Sequence, residues 1–319
     1  MPASREGGNN EMSIVQLLLT GSSGLIGTSL VRSLRQDRIS TITLHRGSAE
    51  GSGPAGDVSQ QQWDPYAATP VSDPQRFAGV TAAIHLSGAN VSGQRWTSSY
   101  KREILESRLK PTHALAVLLS SLQPKPAVLV CASAIGIYGS RGDEALTEAS
   151  SPGSGFLPEV CLAWEKAAQP AAEAGIRVVH LRFGVVLSPD GGALAKMLPV
   201  FRYGLGGVLG SGRQWLSWIT LPDVIRAISF ALKTTNLSGA VNVVAPNPVT
   251  NAEFTRSLGR AIHRPTLLPV PAVALRLAFG EMAEATVLAS ERVMPARLEE
   301  AGFQFEYPDL AAGLQAILA

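Results

Sequence analysis

The segment Thr20-Gly21-Ser22-Ser23-Gly24-Leu25-Ile26-Gly27 constrains the fold more than any other part of this 319-residue chain. It follows an apolar run, Ile14 to Leu19, that reads as a strand, and it opens onto Ile26, Leu30, Val31 and Leu34, spaced for one face of a helix. Strand, glycine turn and helix in that order form the context in which a phosphate docks. Gly21 permits the tight turn, Gly24 lets the backbone approach a pyrophosphate, and Gly27 allows the helix to pack closely on the strand. Free N–H groups and the positive end of the helix dipole then face the anion. The segment predicts a dinucleotide site.

Strand-like and helical runs alternate through the next 230 residues or so. Thr41–Leu44, Thr81–Leu86, Ala127–Cys131, Arg177–Leu181 and Val241–Val244 read as further strands, with a weaker one around Gln60–Trp63. Leu25–Leu34, Thr97–Leu122, Val160–Ala174 and Pro222–Leu232 read as helices. The alternation predicts an α/β chain, a Rossmann-type doubly wound parallel sheet with ligands at the carboxyl ends of its strands. From about Thr250 the pattern changes to short helices broken by Pro265, Pro269, Pro271, Pro295 and Pro308. The expected organisation is a nucleotide-binding domain over 13–249 and a small, mostly helical cap over 250–319, to which 191–216 contributes. Residues 1–12 read as a disordered tail, and Gly47–Gly56 as a mobile loop.

Composition excludes several classes. Lys plus Arg number 27 against 25 Asp plus Glu, so the formal charge of +2 gives no basis for nucleic-acid or anionic-membrane binding. No apolar run approaches the ~20 residues that span a bilayer. The two cysteines, Cys131 and Cys161, form neither a metal spacing nor a disulfide framework, which points to a reducing, cytoplasmic setting. His45, His85, His113, His180 and His263 are scattered without ligand spacing, so no metal site is expected. Without a Gly-x-Ser-x-Gly elbow there is no hydrolase nucleophile either.

The end of the second strand selects between nicotinamide cofactors. An Asp or Glu there accepts from the ribose 2′-hydroxyl, whereas an Arg accommodates a 2′-phosphate. This chain has Leu44-His45-Arg46-Gly47 and no carboxylate before Glu50. A guanidinium matches phosphate bidentately, so NADP(H) is expected.

Further stretches resemble the extended short-chain dehydrogenases/reductases. They are His85-Leu86-Ser87-Gly88-Ala89, Ala132-Ser133-Ala134-Ile135-Gly136-Ile137-Tyr138-Gly139, Arg182-Phe183-Gly184 and Trp218-Ile219-Thr220-Leu221-Pro222-Asp223. Gln94-Arg95-Trp96-Thr97, Gly191-Gly192-Ala193-Leu194, Ala245-Pro246-Asn247-Pro248-Val249-Thr250-Asn251, Leu268-Pro269-Val270-Pro271 and Ala301-Gly302-Phe303-Gln304-Phe305 narrow the resemblance. They are similar to the atypical "epimerase family" group, often labelled sugar-nucleotide epimerase or cell-division-inhibitor-like, and the likeness runs from about Val15 to the C-terminus.

That resemblance implies NADP contacts from the glycine turn (Gly21, Ser22, Ser23, Gly24, Leu25, Ile26, Gly27), from His45 and Arg46, from Leu86, Ser87 and Gly88, and from Val186. It implies that Trp63 and Asp64 border the adenine, although Trp63 also reads as core, and that Glu103 and Arg108 form a cofactor-facing pair. Ordinary members use a Tyr whose pKa is lowered by a Lys four residues on. None of Tyr66, Tyr100, Tyr138, Tyr203 and Tyr307 has that Lys, and the resemblance puts Leu157 and Cys161 where the pair should stand. Ser133 and Tyr138 remain as catalytic candidates, with Asp143 and Glu144 nearby. Trp215 and Trp218 read as a pocket roof or a hydrophobic cap.

Two functions follow. One is an NADP(H)-dependent oxidoreductase or epimerase-like enzyme on an unknown small polar or nucleotide-linked substrate. The other is a non-catalytic NADP(H)-binding redox sensor. The resemblance leaves a homodimer open through the long helices.

Overall fold

A computed structural model describes residues 14–46 and 58–319, so the expected tail and the Gly47–Gly56 loop lie outside the described residues. Seven parallel strands form the central sheet: β1 (Gln16–Thr20), β2 (Ser40–His45), β3 (Val58–Gln62), β4 (Ala82–His85), β5 (Val128–Ala134), β6 (Arg177–Phe183) and β7 (Gly239–Val243). Their spatial order is β3-β2-β1-β4-β5-β6-β7. The order reverses beside β1, between β1 and β4, and this switch point opens the crevice in which α/β sheets bind ligands.

Alternation along each strand feeds two cores. Leu17, Leu19, Val128 and Val130 meet Leu30 and Leu34 of α1 (Leu25–Gln36) and Val224 and Ile228 of the helix Leu221–Lys233. Leu18, Leu129 and Cys131 meet Leu115 and Leu119 of α2 (Ser98–Ser121) and Ala171 of the short helix Gln169–Glu173. Both faces of the sheet are therefore covered, which is why its strands read as near-continuous apolar runs.

Several boundaries differ from the sequence reading. β5 and β6 run on to Ala134 and Phe183 because small and polar residues at their ends are buried by partners rather than by apolar pattern. The single helix expected over Val160–Ala174 is two, α3 (Phe156–Lys166) and Gln169–Glu173. Pro170 cannot continue the first helix, since its ring meets the carbonyl four residues back, but it suits the first turn of the second. β3 is the sheet edge, with exposed or half-buried side chains, and Trp63 leaves it to enter the core.

Beyond the sheet, α4 (Gly192–Arg202) packs through Leu194, Leu198 and Phe201 against Phe254 and Leu258 of the helix Asn251–Ala261 and Leu310 and Leu314 of the helix Leu310–Leu318. Trp218 is fully buried in this cluster, so it is core and not an open roof. The antiparallel pair Trp215–Leu216 and Val249–Thr250 joins the two segments. Among the described residues, no helix is long and apolar enough to cross a membrane.

Candidate functional site

The glycine turn is shaped by contacts that only glycine allows. Gly21 has φ +76°, and a Cβ there would stand 2.6 Å from the Leu86 carbonyl carbon and 2.8 Å from the Ser87 nitrogen. A Cβ on Gly27 would overlap the Gly21 carbonyl oxygen and lie 2.8 Å from Ser22 Cα. The turn is thus pressed between the start of α1 and the end of β4. The helix has Gly24 at its N-cap and no side-chain cap, and the first intrahelical bond runs from the Thr28 N–H to the Gly24 carbonyl, 2.8 Å. The earlier N–H groups of Leu25, Ile26 and Gly27 are left to an external acceptor. Ser22 and Ser23 are exposed or half-exposed on the same turn.

A buried strut fixes this geometry from below. Thr20 Oγ1 and His85 Nδ1 are 2.6 Å apart, and His85 Nε2 lies 2.9 Å from Thr112 Oγ1 on α2. Thr112 donates to the Arg108 carbonyl, 2.6 Å, and accepts from Trp164 Nε1, 3.0 Å. With its one proton so committed, Thr112 accepts from His85 Nε2–H, and His85 Nδ1 accepts from Thr20. Burial pulls the imidazole down to about 3, so it stays neutral. Thr20 immediately precedes Gly21, so the strut ties the turn to β4, α2 and α3.

Leu86, Ser87 and Gly88 leave β4 along the rim of the crevice. Arg108 lies beneath them, donating through Nη2 to the Ala89 carbonyl at 3.0 Å, with its guanidinium 4.9 Å from the centre of the Trp164 ring. A Cβ on Gly88 would meet Arg108 Cζ at 3.3 Å. Glu103 is exposed and forms no ion pair with buried Arg108, so the two residues are not joined. On the opposite rim, the Val186 carbonyl and the Leu25 side chain are 3.5 Å and 3.4 Å from where a Gly192 Cβ would stand. The start of α4 therefore closes over the start of α1.

At the other end of the crevice, His45 ends β2 and Arg46 is exposed beside it. His45 Nε2 is buried without a hydrogen-bond partner among the described residues. Trp63 is 4% exposed and belongs to the core, while its N–H donates to the His45 carbonyl at 3.0 Å. Asp64 is exposed, and its Oδ1 accepts from the Tyr66 N–H.

The carboxyl end of β5 holds a network that sequence reasoning did not assemble. Ser133, 3% exposed, donates to Glu165 Oε1 of α3 at 2.7 Å. Arg182 of β6 grips the same carboxylate with Nε at 2.8 Å and Nη2 at 2.9 Å, and donates through Nη1 to the Tyr138 hydroxyl at 2.9 Å. Tyr138 is wholly buried and donates to Asn242 Oδ1 at 2.7 Å. Burial opposes the Glu165 charge, yet the hydrogen bonds and charge of Arg182, with Ser133, hold its carboxyl below the usual range. Burial raises the Tyr138 phenol even though Arg182 and Asn242 pull the other way. Both candidate hydroxyls are thus occupied inside the fold. Asp143 and Glu144 are exposed loop acids, one accepting from Trp215 Nε1 and the other paired with Arg141.

Leu157 faces this strand end, its Cβ 3.5 Å from where a Gly136 Cβ would be. Cys161, one turn on, is buried beside Ala134 and Ile135, and burial pushes its thiol up to about 12. Leu157 has no titratable group, and Cys161 stays a thiol near neutrality. Around them stand Trp96 against Phe156 at 5.0 Å, and Lys101, 5.0 Å from Phe156 and bonded to Glu281 at 2.6 Å. Among the described residues, no three His, Cys, Asp or Glu side chains converge as metal ligands.

The sheet order, the glycine turn and the crevice beside it define a nicotinamide-nucleotide-binding Rossmann protein of the short-chain dehydrogenase/reductase type. The pattern of the NAD dependent epimerase/dehydratase family matches residues 17–244, and a domain of unknown function matches 270–317. The chain belongs to that epimerase/dehydratase family, in its atypical extended "epimerase family" group. It is 43% identical over 296 residues to epimerase family protein Mb2239 of Mycobacterium bovis, covering 93% of this chain and 95% of that one. It is 38% identical over 310 residues to the chloroplastic SDR39U1 homolog of Arabidopsis thaliana, covering 94% and 86%. Among solved structures, the human epimerase family protein SDR39U1 (isoform 2) with NADPH superposes with a TM-score of 0.84 at 31% identity, covering 95% of this chain and 98% of that one.

Proposed function

We propose that this protein binds NADP(H) and is an oxidoreductase or epimerase-like enzyme acting on a small polar or nucleotide-linked substrate. The observation that carries the reading is the turn in which neither Gly21 nor Gly27 has room for a Cβ, set in one crevice with Arg46 at the end of β2. The main-chain N–H groups at the start of α1 would hold the pyrophosphate. Arg46 would hold the 2′-phosphate, which a carboxylate in that place would repel. His45 Nε2, buried without a partner among the described residues, leaves one more polar atom for the ribose end. The human relative solved with NADPH supports the choice of NADP(H).

When bound, the nicotinamide supplies or takes up hydride. The chain's own residues give the substrate end its character: Trp96, Phe156 and Leu157 exclude water, and Lys101 joins α2 to the cap through Glu281. Arg95 lies where a Cβ on Gly280 would come within 3.5 Å of its guanidinium, and its exposed charge suits a polar or phosphorylated substrate. Ser133 and Tyr138 hold the shape of the β5 end through Glu165, Arg182 and Asn242.

Arg46→Ala tests the cofactor choice. Losing a charged hydrogen bond costs about 1.5–3 kcal/mol, so NADPH affinity should fall roughly ten- to a hundredfold while NADH affinity is nearly unchanged. Equal losses for both nucleotides would refute it. Enzyme activity is read from the fluorescence of bound NADPH, which should decay only with particular carbonyl metabolites. Undiminished fluorescence across a broad panel would contradict the enzyme reading.

A further inference from the structure

With Ser133 and Tyr138 committed to the fold, proton exchange at the β5 end needs another group. The segment Ser290–Val293 supplies one, and it is clamped there on both sides. The Ser290 N–H donates to Ser140 Oγ at 3.0 Å, and its hydroxyl donates to the Gly142 carbonyl at 2.7 Å and accepts from the Trp215 N–H at 3.0 Å. Ser217 Oγ donates to the Glu291 carbonyl and accepts from the Val293 N–H, both at 2.8 Å. The Glu291 N–H donates to the Trp215 carbonyl at 3.2 Å.

Arg292–Val293 pairs in parallel with Ala145–Leu146, and Val293 packs fully buried against Ile135, Ile137, Tyr138 and Cys161. Alternation turns Arg292 the other way, onto the Trp215 ring at 4.6 Å, and returns Glu291 to the side of Val293. The Glu291 side chain is thereby turned toward the face on which Val293 packs against Ile135, Ile137, Tyr138 and Cys161, at the carboxyl end of β5. The residue is half-buried, its carboxyl is desolvated by the surrounding protein, and its side chain forms no hydrogen bond or ion pair among the described residues. Of the other carboxylates nearby, Glu165 is held by Arg182 and Ser133, and Glu148 accepts at Oε1 from the N–H groups of Asn242 and Arg297 while its Oε2 is buried without a partner among the described residues.

We propose that Glu291 is the proton-exchanging catalytic residue of the cleft, acting on a small carbonyl compound or the corresponding secondary alcohol. The inference rests on the nucleotide reading given above. As the carbonyl carbon gains hydride from the dihydronicotinamide, the C=O π bond breaks and its electron pair takes the proton of the Glu291 carboxyl. The carboxylate left behind is reprotonated from water, and in the reverse direction it accepts the proton of the alcohol. Burial holds this carboxyl up to about 8, so it carries its proton at neutral pH, as a general acid requires. The charged and titratable groups around it leave this intact. Cys161 stays a thiol, Arg292 faces Trp215, Arg141 is paired with Glu144, Asp143 accepts from Trp215, and Glu165 is neutralised by Arg182.

The test compares NADP+ and NADPH affinities by calorimetry on the full chain between about pH 6.5 and about pH 9.5. A carboxylate close enough to exchange a proton with a carbonyl held against the nicotinamide stands about 6 Å from the oxidised, positively charged ring and favours NADP+ by up to about a hundredfold at an effective dielectric of about 20. The wild-type affinity ratio should therefore shift toward NADP+ by about that factor, with a midpoint near 8, and be flat in Glu291→Gln. Titration of the 2′-phosphate is common to both nucleotides and cancels in the ratio. A second variant, Glu291→Asp, should keep the pH step with a displaced midpoint. A flat wild-type ratio, or the same step in Glu291→Gln, would overturn the proposal. Heat from neither nucleotide would overturn the cofactor reading on which it rests, a distinct result.

The chemical arm uses oxidation of bound NADPH by 9,10-phenanthrenequinone. Glu291→Gln should be at least about a hundredfold slower at neutral pH, the scale of general acid catalysis. Equal rates would remove Glu291 from proton transfer, and no oxidation by either chain would remove the carbonyl class of substrate.

Discussion

Arg182→Met is the perturbation that bears most on how the β5 end is built. The Arg182 side chain is 10% exposed and that of Glu165 14%, and they are joined by two parallel hydrogen bonds of 2.8 Å and 2.9 Å. Removing Arg182 leaves Glu165 buried with only the Ser133 hydroxyl, and Tyr138 with only Asn242. Breaking one side of a buried pair costs about 3–5 kcal/mol, because the surviving charge has lost its compensation. The sign of the pH dependence follows from the same geometry. In the native chain Glu165 titrates below its ordinary value, so its contribution is present above the ordinary carboxyl range and fades as pH falls through its folded pKa. Without Arg182, burial prevails and the folded pKa rises above the ordinary value, so the variant loses stability as pH rises.

The deficit measured by urea unfolding should therefore be larger at about pH 7.5 than at about pH 5. Glu165→Met in the Arg182→Met background should recover part of the loss, giving a double-mutant coupling of about 2 kcal/mol or more. A single-mutant loss under about 1 kcal/mol, or one independent of pH, would refute the claim that this pair organises the strand end.

Other predictions concern the remaining parts of the site. Gly27→Ala puts a methyl group onto the Gly21 carbonyl and Ser22 Cα, backbone atoms that have nowhere to move, so NADPH affinity should fall at least about tenfold by calorimetry. Unchanged affinity would show that the turn does not form the nucleotide site. Thr112→Val strands two buried donors, His85 Nε2–H and Trp164 Nε1–H, and should cost roughly 2–5 kcal/mol in denaturant unfolding, whereas Thr112→Ser should cost far less. Equal costs for the two would assign the loss to packing. Neither cysteine should react with an aromatic disulfide reagent at neutral pH in the folded chain, since burial raises both thiols and both are covered; rapid labelling of Cys161 would contradict that burial.

The glycine turn and the parallel sheet were legible because each leaves a local mark. Such marks are a positive-φ glycine between two periodicities, or an apolar run of strand length. The Glu165–Arg182 pair was not legible. Its members sit on a helix and a strand, and Ser133 reaches Glu165 across 32 residues. Nothing in the spacing of a Ser, a Glu and an Arg marks them as a buried unit. Their Arg182-Phe183-Gly184 and Ala132-Ser133-Ala134 contexts were visible, and Arg182, set between Leu181 and Phe183 near the end of its strand, was the one signal that could have prompted a search for its carboxylate.

Ser133 and Tyr138 stood out because hydroxyls beside a crevice suggest chemistry, but sequence cannot tell whether such a group points at a ligand or into the fold. Glu291 escaped notice for the opposite reason. It lies in a proline-rich tail far from the strand end, and only the clamp by Ser217 and Trp215 carries it there. Trp63, read both as an adenine neighbour and as core, is core because β3 ends one residue earlier and the chain turns inward.

The central claim is that main-chain amides at the start of α1, with Arg46, hold an NADP(H) molecule. Titration calorimetry of the full, unmodified chain with NADPH tests it most directly. One nucleotide should bind per chain, with a dissociation constant of roughly micromolar order or below, and NADH should bind roughly ten- to a hundredfold more weakly. A folded chain that gives no heat with either nucleotide would contradict it.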